Sequence, residues 1–113
     1  MMENRSRVLV IDDSLGVIEL LESILGEAFE VSFASNGVEG LELANRYPPD
    51  LILLDVMMPG MNGFEVCRHL KENPVTADIP VIFLTGLVSP SDEEFGLSVG
   101  AGDFISKPIS PPK

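Results

Sequence analysis

At 113 residues, with 18 acidic side chains against 7 basic ones and a net charge of -11, the chain fits one domain of ordinary size with a single packed core. An apolar content of 45% argues against wholesale disorder, and the acid excess argues against nucleic-acid backbones and anionic membrane surfaces as direct partners. One cysteine, Cys67, leaves no internal disulfide framework, and the first apolar run, Val8 to Ile11, is too short for a signal-peptide core or a membrane span. A cytoplasmic location is expected.

The elements follow in chain order. Residues 1–6 read as a tail. Val8-Leu9-Val10-Ile11 is a continuous apolar run, suited to a strand buried on both faces. Ser14 then stands as an N-cap before a helix marked by Ile18, Leu21, Leu25 and Ala28, with Val17 and Ile24 widening its apolar stripe. Val31-Ser32-Phe33-Ala34 alternates and predicts a strand nearer an edge. Asn36-Gly37 opens a second helix, marked by Val38, Leu41 and Ala44 and ended by Tyr47-Pro48-Pro49. Leu51-Ile52-Leu53-Leu54 predicts another buried strand. Phe64, Cys67 and Leu70 mark the third helix, which Pro74 closes. Val81-Ile82-Phe83-Leu84 is the fourth strand, Ser89 to Gly100 a weaker fourth helix, and Phe104-Ile105 a short fifth strand. The order βαβαβαβαβ predicts an α/β layered fold with right-handed crossovers. A helix wanted after the fifth strand is missing, which leaves one face of the sheet thinly covered: either the chain is a fragment of a longer protein or another chain covers that face.

Ligands of open parallel sheets bind beyond the carboxyl ends of the strands, so the residues just after each apolar run carry most of the functional information. Strand one runs into Asp12-Asp13, strand three into Asp55, strand four into Thr85-Gly86 and strand five into Lys107-Pro108. Two carboxylates about 5 Å apart repel by roughly 3 kcal/mol at an effective dielectric near 20, so three of them together call for a cation. Oxygen ligands with no nearby His or Cys suit a hard divalent ion, and Mg²⁺ leaves room for water and phosphate oxygens.

With Asp12-Asp13, with Asp55 in the run Asp55-Val56-Met57-Met58-Pro59-Gly60-Met61-Asn62-Gly63, and with Thr85 and Lys107-Pro108, the chain resembles the receiver domain of bacterial two-component response regulators. The resemblance covers residues 7–113, a receiver truncated before its fifth helix. It implies a flavodoxin-like, doubly wound sheet of five parallel strands in the order 2-1-3-4-5. Asp55 is then the phosphoacceptor, taking a phosphoryl group from a sensor histidine kinase or phosphotransfer protein. Asp12, Asp13, Asp55 and the backbone carbonyl of Met57 hold Mg²⁺, with Asp12 acting mainly through a bound water. Lys107 pairs with the phosphoryl oxygens, and its bond to Pro108 is expected to be cis. Thr85 and Phe104 are the switch residues. Such a chain is a signalling phosphoacceptor and not a turnover enzyme. Its output domain is expected on the same full-length chain, with room for a homodimer.

Each residue also has a plainer reading. Asp12 and Asp13 could cap the first helix. Thr85 could be an ordinary strand-end hydroxyl, and Lys107 a solvated lysine. Met57, Met58 and Met61 fit loop packing better than a Met-rich binding surface, and His69 fits a surface residue better than a phosphodonor. Cys67 reads as a small core residue, and Ser91 to Glu94 as the start of helix four. Among rival functions, a flavodoxin-like cofactor binder is disfavoured because Asp12-Asp13-Ser14 would repel its phosphate. A small Mg²⁺-dependent phosphohydrolase lacks a segment to enclose its substrate, and a degenerate receiver serving only as a scaffold does not need the full set of site residues.

Overall fold

The computed structural model describes residues 5–85, 100 and 102–106, with side chains for all of these except 85 and 103–106. The elements are β1 (Arg7–Ile11), α1 (Leu15–Leu25), β2 (Glu30–Ala34), α2 (Gly37–Arg46), β3 (Leu51–Asp55), α3 (Gly63–Glu72), β4 (Val81–Thr85) and β5 (Asp103–Ser106). All strand pairs are parallel and the sheet order is β2-β1-β3-β4-β5. The direction of winding therefore reverses between β2 and β3, which sends α1 to one face and α2 with α3 to the other.

That arrangement explains why β1, β3 and β4 read as unbroken apolar runs. Leu9, Ile11, Ile52, Leu54, Val81 and Phe83 face α2 and α3, where they pack with Ala44, Val66, Cys67 and Leu70. Val8, Val10, Leu53 and Leu84 face α1 and pack with Ile18 and Leu21. Alternate residues of one strand thus enter two different cores, and neither face can be polar. β2 lies at an edge, as its alternation predicts, and its Phe33 is 47% exposed. Phe64 meets Phe83 edge-on, with ring centroids 5.1 Å apart at 76°.

Helix ends follow local chemistry. Ser14 caps α1 by accepting from the N–H of Val17, and Asn36 caps α2 by accepting from Glu39. Asn62 and Glu65 form a reciprocal capping box on α3. At the far end of α3, Asn73 precedes Pro74, whose ring disfavours helical backbone in the residue before it.

Two expectations are corrected. Ala28 does not continue the stripe of α1: the helix ends at Leu25 with Gly26 as C-cap, and Ala28 is exposed in the turn that follows. Glycine has the lower helix propensity, and the chain turns there to enter β2. Val38 is 61% exposed, so it is not part of the buried face of α2. That face is made by Gly37, Gly40 and Ala44. A Cβ on Gly40 would stand 2.8 Å from Cγ1 of Ile11, so the missing side chain is what lets α2 lie against the end of β1. The expected fourth helix, residues 89–100, and the chain after Ser106 lie outside the described residues. On the α1 face, a cavity of about 280 Å³ opens between Leu21, Leu25, Leu51, Leu53 and Ile82.

Cys67 is fully buried on the inner side of α3, as expected of a small core residue. Burial pushes its thiol pKa up, and Lys71 on the next turn pulls it partly back. The folded state therefore holds this proton more tightly than the unfolded chain does. The stability it contributes is complete below the unfolded thiol's pKa and is lost as pH rises through the folded value. Thiol reagents are expected to label Cys67 only as the protein unfolds. Urea titrations between about pH 8 and pH 10, spanning the ordinary thiol range, are expected to show stability falling with pH, and a Cys67→Ala variant to lose that part of the slope.

Candidate metal and phosphoryl site

The register of the sheet brings the acidic residues level. Ile11 of β1 lies opposite Leu54 of β3, so the next residues, Asp12 and Asp55, come side by side at the carboxyl edge. The ladder extends one residue past each strand: Asp12 N–H donates to the carbonyl of Ala34 at 3.1 Å, and Val56 N–H to that of Leu84 at 3.2 Å. Carboxylate oxygens of Asp12, Asp13 and Asp55 lie within 4.8 Å of one another. Asp12 is 0% exposed and Asp55 4%, while Asp13 faces solvent.

Local hydrogen bonds hold two of these carboxylates. The N–H of Ser14 donates to Oδ1 of Asp12 at 2.8 Å, and the N–H of Met57 donates to Oδ1 of Asp55 at 3.2 Å. Each aspartate thus closes a turn onto the amide two residues ahead, a habit of Asx side chains that here aims them along the sheet edge. Asp12 and Asp13 also precede the N-terminus of α1, where the helix dipole favours negative charge.

Gly63 is the residue that sequence reading passed over. Its N–H donates to the carbonyl of Val56 at 2.9 Å, which seats the start of α3 on the end of β3. A Cβ there would overlap the carbonyl oxygen of Asp55 and stand 2.8 Å from Cα of Val56. Backbone cannot swing aside as a flexible side chain can, so only glycine fits. The available signal was Asn62-Gly63 followed by Glu65, a capping pattern that puts the helix start at this glycine. Of the methionines in the loop, Met58 is buried in the core and Met61 packs against it. Met57 is 76% exposed beside Asp55.

The donor set is three carboxylates at one sheet edge, all oxygen and all anionic, which suits a hard divalent ion with open positions. Thr85 ends β4 next to β3, and its backbone pairs with Ser106 of β5. The side chains of Thr85 and Phe104, and the whole of Lys107 and Pro108, lie outside the described part of the structure. His69 is exposed on α3, away from the sheet edge that carries the acids.

The class defined by this fold and site is a doubly wound parallel α/β domain with an acidic centre at the carboxyl edge of its sheet. Residues 8–113 match the family model described as response regulator receiver domain, and the chain belongs to that family. It is 51% identical over 105 residues to the response regulator PleD of Caulobacter vibrioides, covering 92% of this chain and 23% of PleD. It is 43% identical over 113 residues to a probable cyclic di-GMP phosphodiesterase of Vibrio cholerae, covering 98% of this chain and 26% of that protein. The chain therefore spans about a quarter of the length of these relatives. Its fold matches the chemotaxis protein CheY4 of Vibrio cholerae with a TM-score of 0.91 at 33% identity, covering 96% of this chain and 91% of the other.

The close fit at Gly63 has a measurable cost when disturbed. Gly63→Ala is expected to lower the free energy of unfolding by about 2 kcal/mol or more, the range of an overpacked core position aggravated by a backbone clash. Urea denaturation checks this, with Gly16→Ala as the control, since a Cβ on Gly16 would meet nothing closer than 3.9 Å.

Proposed function

We propose that Asp55 accepts a phosphoryl group from a phosphohistidine on a sensor kinase or phosphotransfer protein. The observation that carries this reading is the convergence of Asp12, Asp13 and Asp55 at one sheet edge in a chain of the receiver family. An oxygen of Asp55 attacks phosphorus, the bond from phosphorus to the donor imidazole breaks, and an acyl phosphate forms on Asp55. Asp12, Asp13, Asp55 and the carbonyl of Met57 are the residues that would hold Mg²⁺. When bound, the ion neutralises charge on the transferring oxygens.

The chain's own groups supply the positioning. Met57 N–H donates to Oδ1 of Asp55 and so fixes the orientation of its carboxylate. Lys107 pairs with phosphoryl oxygens, and the hydroxyl of Thr85 turns toward them. Phe104 follows as the aromatic switch; as Phe it lacks a ring hydroxyl to signal with. The new group adds about -1.5 to -2 charge to an acidic edge, enough to bias a loop between two arrangements. By resemblance to the receiver family, apolar Met57 and Leu87 hold the two positions expected to flank the acyl phosphate, where they would hinder an attacking water. The domain promotes only its own phosphorylation and dephosphorylation, and the output it controls lies on the same full-length chain or on a partner. The net charge of -11 argues against a direct nucleic-acid partner, and the single cysteine fits a reducing, cytoplasmic setting. Among the described residues, no helix is long and apolar enough to cross a membrane.

Incubation with acetyl phosphate and Mg²⁺ is expected to add one hydroxylamine-labile phosphoryl group, read by intact mass. Chelation of the metal, or the variant Asp55→Asn, is expected to abolish the gain. A stable gain that persists in Asp55→Asn would place the acceptor elsewhere, and continuous turnover of a generic phosphate ester would mark a hydrolase instead.

A further inference from the structure

Sulfur is unevenly placed in this fold. Cys67 and Met58 are buried, Met61 packs against the core, and Met57 alone among the described sulfur residues is 76% exposed. Yet Met57 is not a loose surface residue. Its N–H is bonded to Oδ1 of Asp55, and the loop that carries it is anchored by buried Val56 and Met58 on either side. An unbranched apolar side chain is thus held in water at the edge of the acidic centre. Left in water, the side chain gains none of the stabilisation that burial would give it.

We propose that Met57 is a reversible oxidation site whose state sets how long Asp55 stays phosphorylated. The oxidant is hydrogen peroxide or a related two-electron peroxide. A lone pair on sulfur attacks one peroxide oxygen, the sulfur–oxygen bond forms, the oxygen–oxygen bond breaks, and the other oxygen leaves as water after proton transfer. Sulfur loses two electrons and the peroxide gains them, giving methionine sulfoxide, which methionine sulfoxide reductases return to the thioether. Susceptibility follows exposure, so Met57 reacts before Met58 and Met61.

The consequence follows from the change in polarity. The thioether is a weak acceptor that does not organise water, whereas the sulfoxide oxygen is a strong one. Beside an acyl phosphate it replaces an apolar flank with a group that holds water near phosphorus. The sulfoxide orients water without removing its proton. The gain in hydrolysis rate is therefore at most about tenfold, below the roughly 10²–10⁴ of a true general base.

This inference rests on Asp55 being the phosphoacceptor, and the experiment separates the two. The protein is treated with graded hydrogen peroxide, peptide mapping reports sulfoxide at each methionine, and the decay of the Asp55 phosphoryl group is followed in treated and untreated samples. Oxidation of Met57 ahead of Met58 and Met61, with decay quickened severalfold and restored by a sulfoxide reductase, is the expected result. Met57→Leu, which keeps Met1 and Met2, is expected to lose the response to peroxide, and Met57→Gln to decay as the oxidised protein does. Equal oxidation of the three loop methionines, or a decay rate unchanged by Met57 oxidation, overturns the inference and leaves the phosphoacceptor reading standing. No phosphoryl gain in the untreated protein overturns both.

Discussion

The mutual repulsion of three carboxylates at one end of the sheet is the constraint on which the rest of this structure depends. Two of them are almost fully buried, and their oxygens lie within 4.8 Å of one another and of the third. Like charges this close disfavour one another, most of all the buried Asp12 and Asp55, which water screens least. Such a centre persists only where many independent contacts hold the backbone that carries it. The parallel ladder, extended one residue past β1 and β3, supplies the first of these. The turns closed onto Ser14 and Met57, and the positive end of α1, supply the others.

Close packing converts that demand into specific residue choices. Helices α2 and α3 approach the acidic edge at two points where no side chain would fit. Gly40 lies against Ile11, the residue before Asp12, and Gly63 lies against the carbonyl of Asp55 itself. Gly40 sits inside α2, where glycine costs about 0.8–1.0 kcal/mol relative to alanine, and Gly63 is the first residue of α3. Their local cost is offset by the approach they permit: shortened distances between helix and strand leave the strand ends little freedom to part. Interiors packed at crystal-like density transmit such contacts over several residues. The site is thereby held from beneath as well as by its own hydrogen bonds.

The opposite face of the sheet is built differently. Among the described residues α1 is the one helix on it, and a cavity of about 280 Å³ remains between α1 and the strands. Among the described residues the larger core cluster lies under α2 and α3, where Phe83, Val66, Cys67 and Leu70 pack around the strand that ends in Asp55.

How much of this was legible before any coordinates follows from the range over which each interaction acts. Continuous apolar runs, the Ser14 cap, the Asn36-Gly37 opening and the closing Pro74 are local patterns, and with helical apolar spacing they were enough to place the described strands, the three helices and the edge position of β2. The aspartates after β1 and β3 were legible as well, because a parallel sheet puts its strand ends on one edge whatever the helices do. Helix periodicity misled at Ala28 and Val38, where a C-cap glycine and a glycine-lined face override the apolar spacing. The roles of Gly40 and Gly63 were beyond its reach, since glycine has no side chain to carry a pattern and its value lies in what a distant segment needs. The same holds for Met57: composition sets three methionines in one loop, but only the packing of that loop buries Met58 and leaves Met57 in water beside Asp55. Sequence by itself thus determined the elements, their order and the chemical character of the site. Tertiary structure decided the distances and exposures, because these depend on how separate elements close against each other and not on any one stretch of chain.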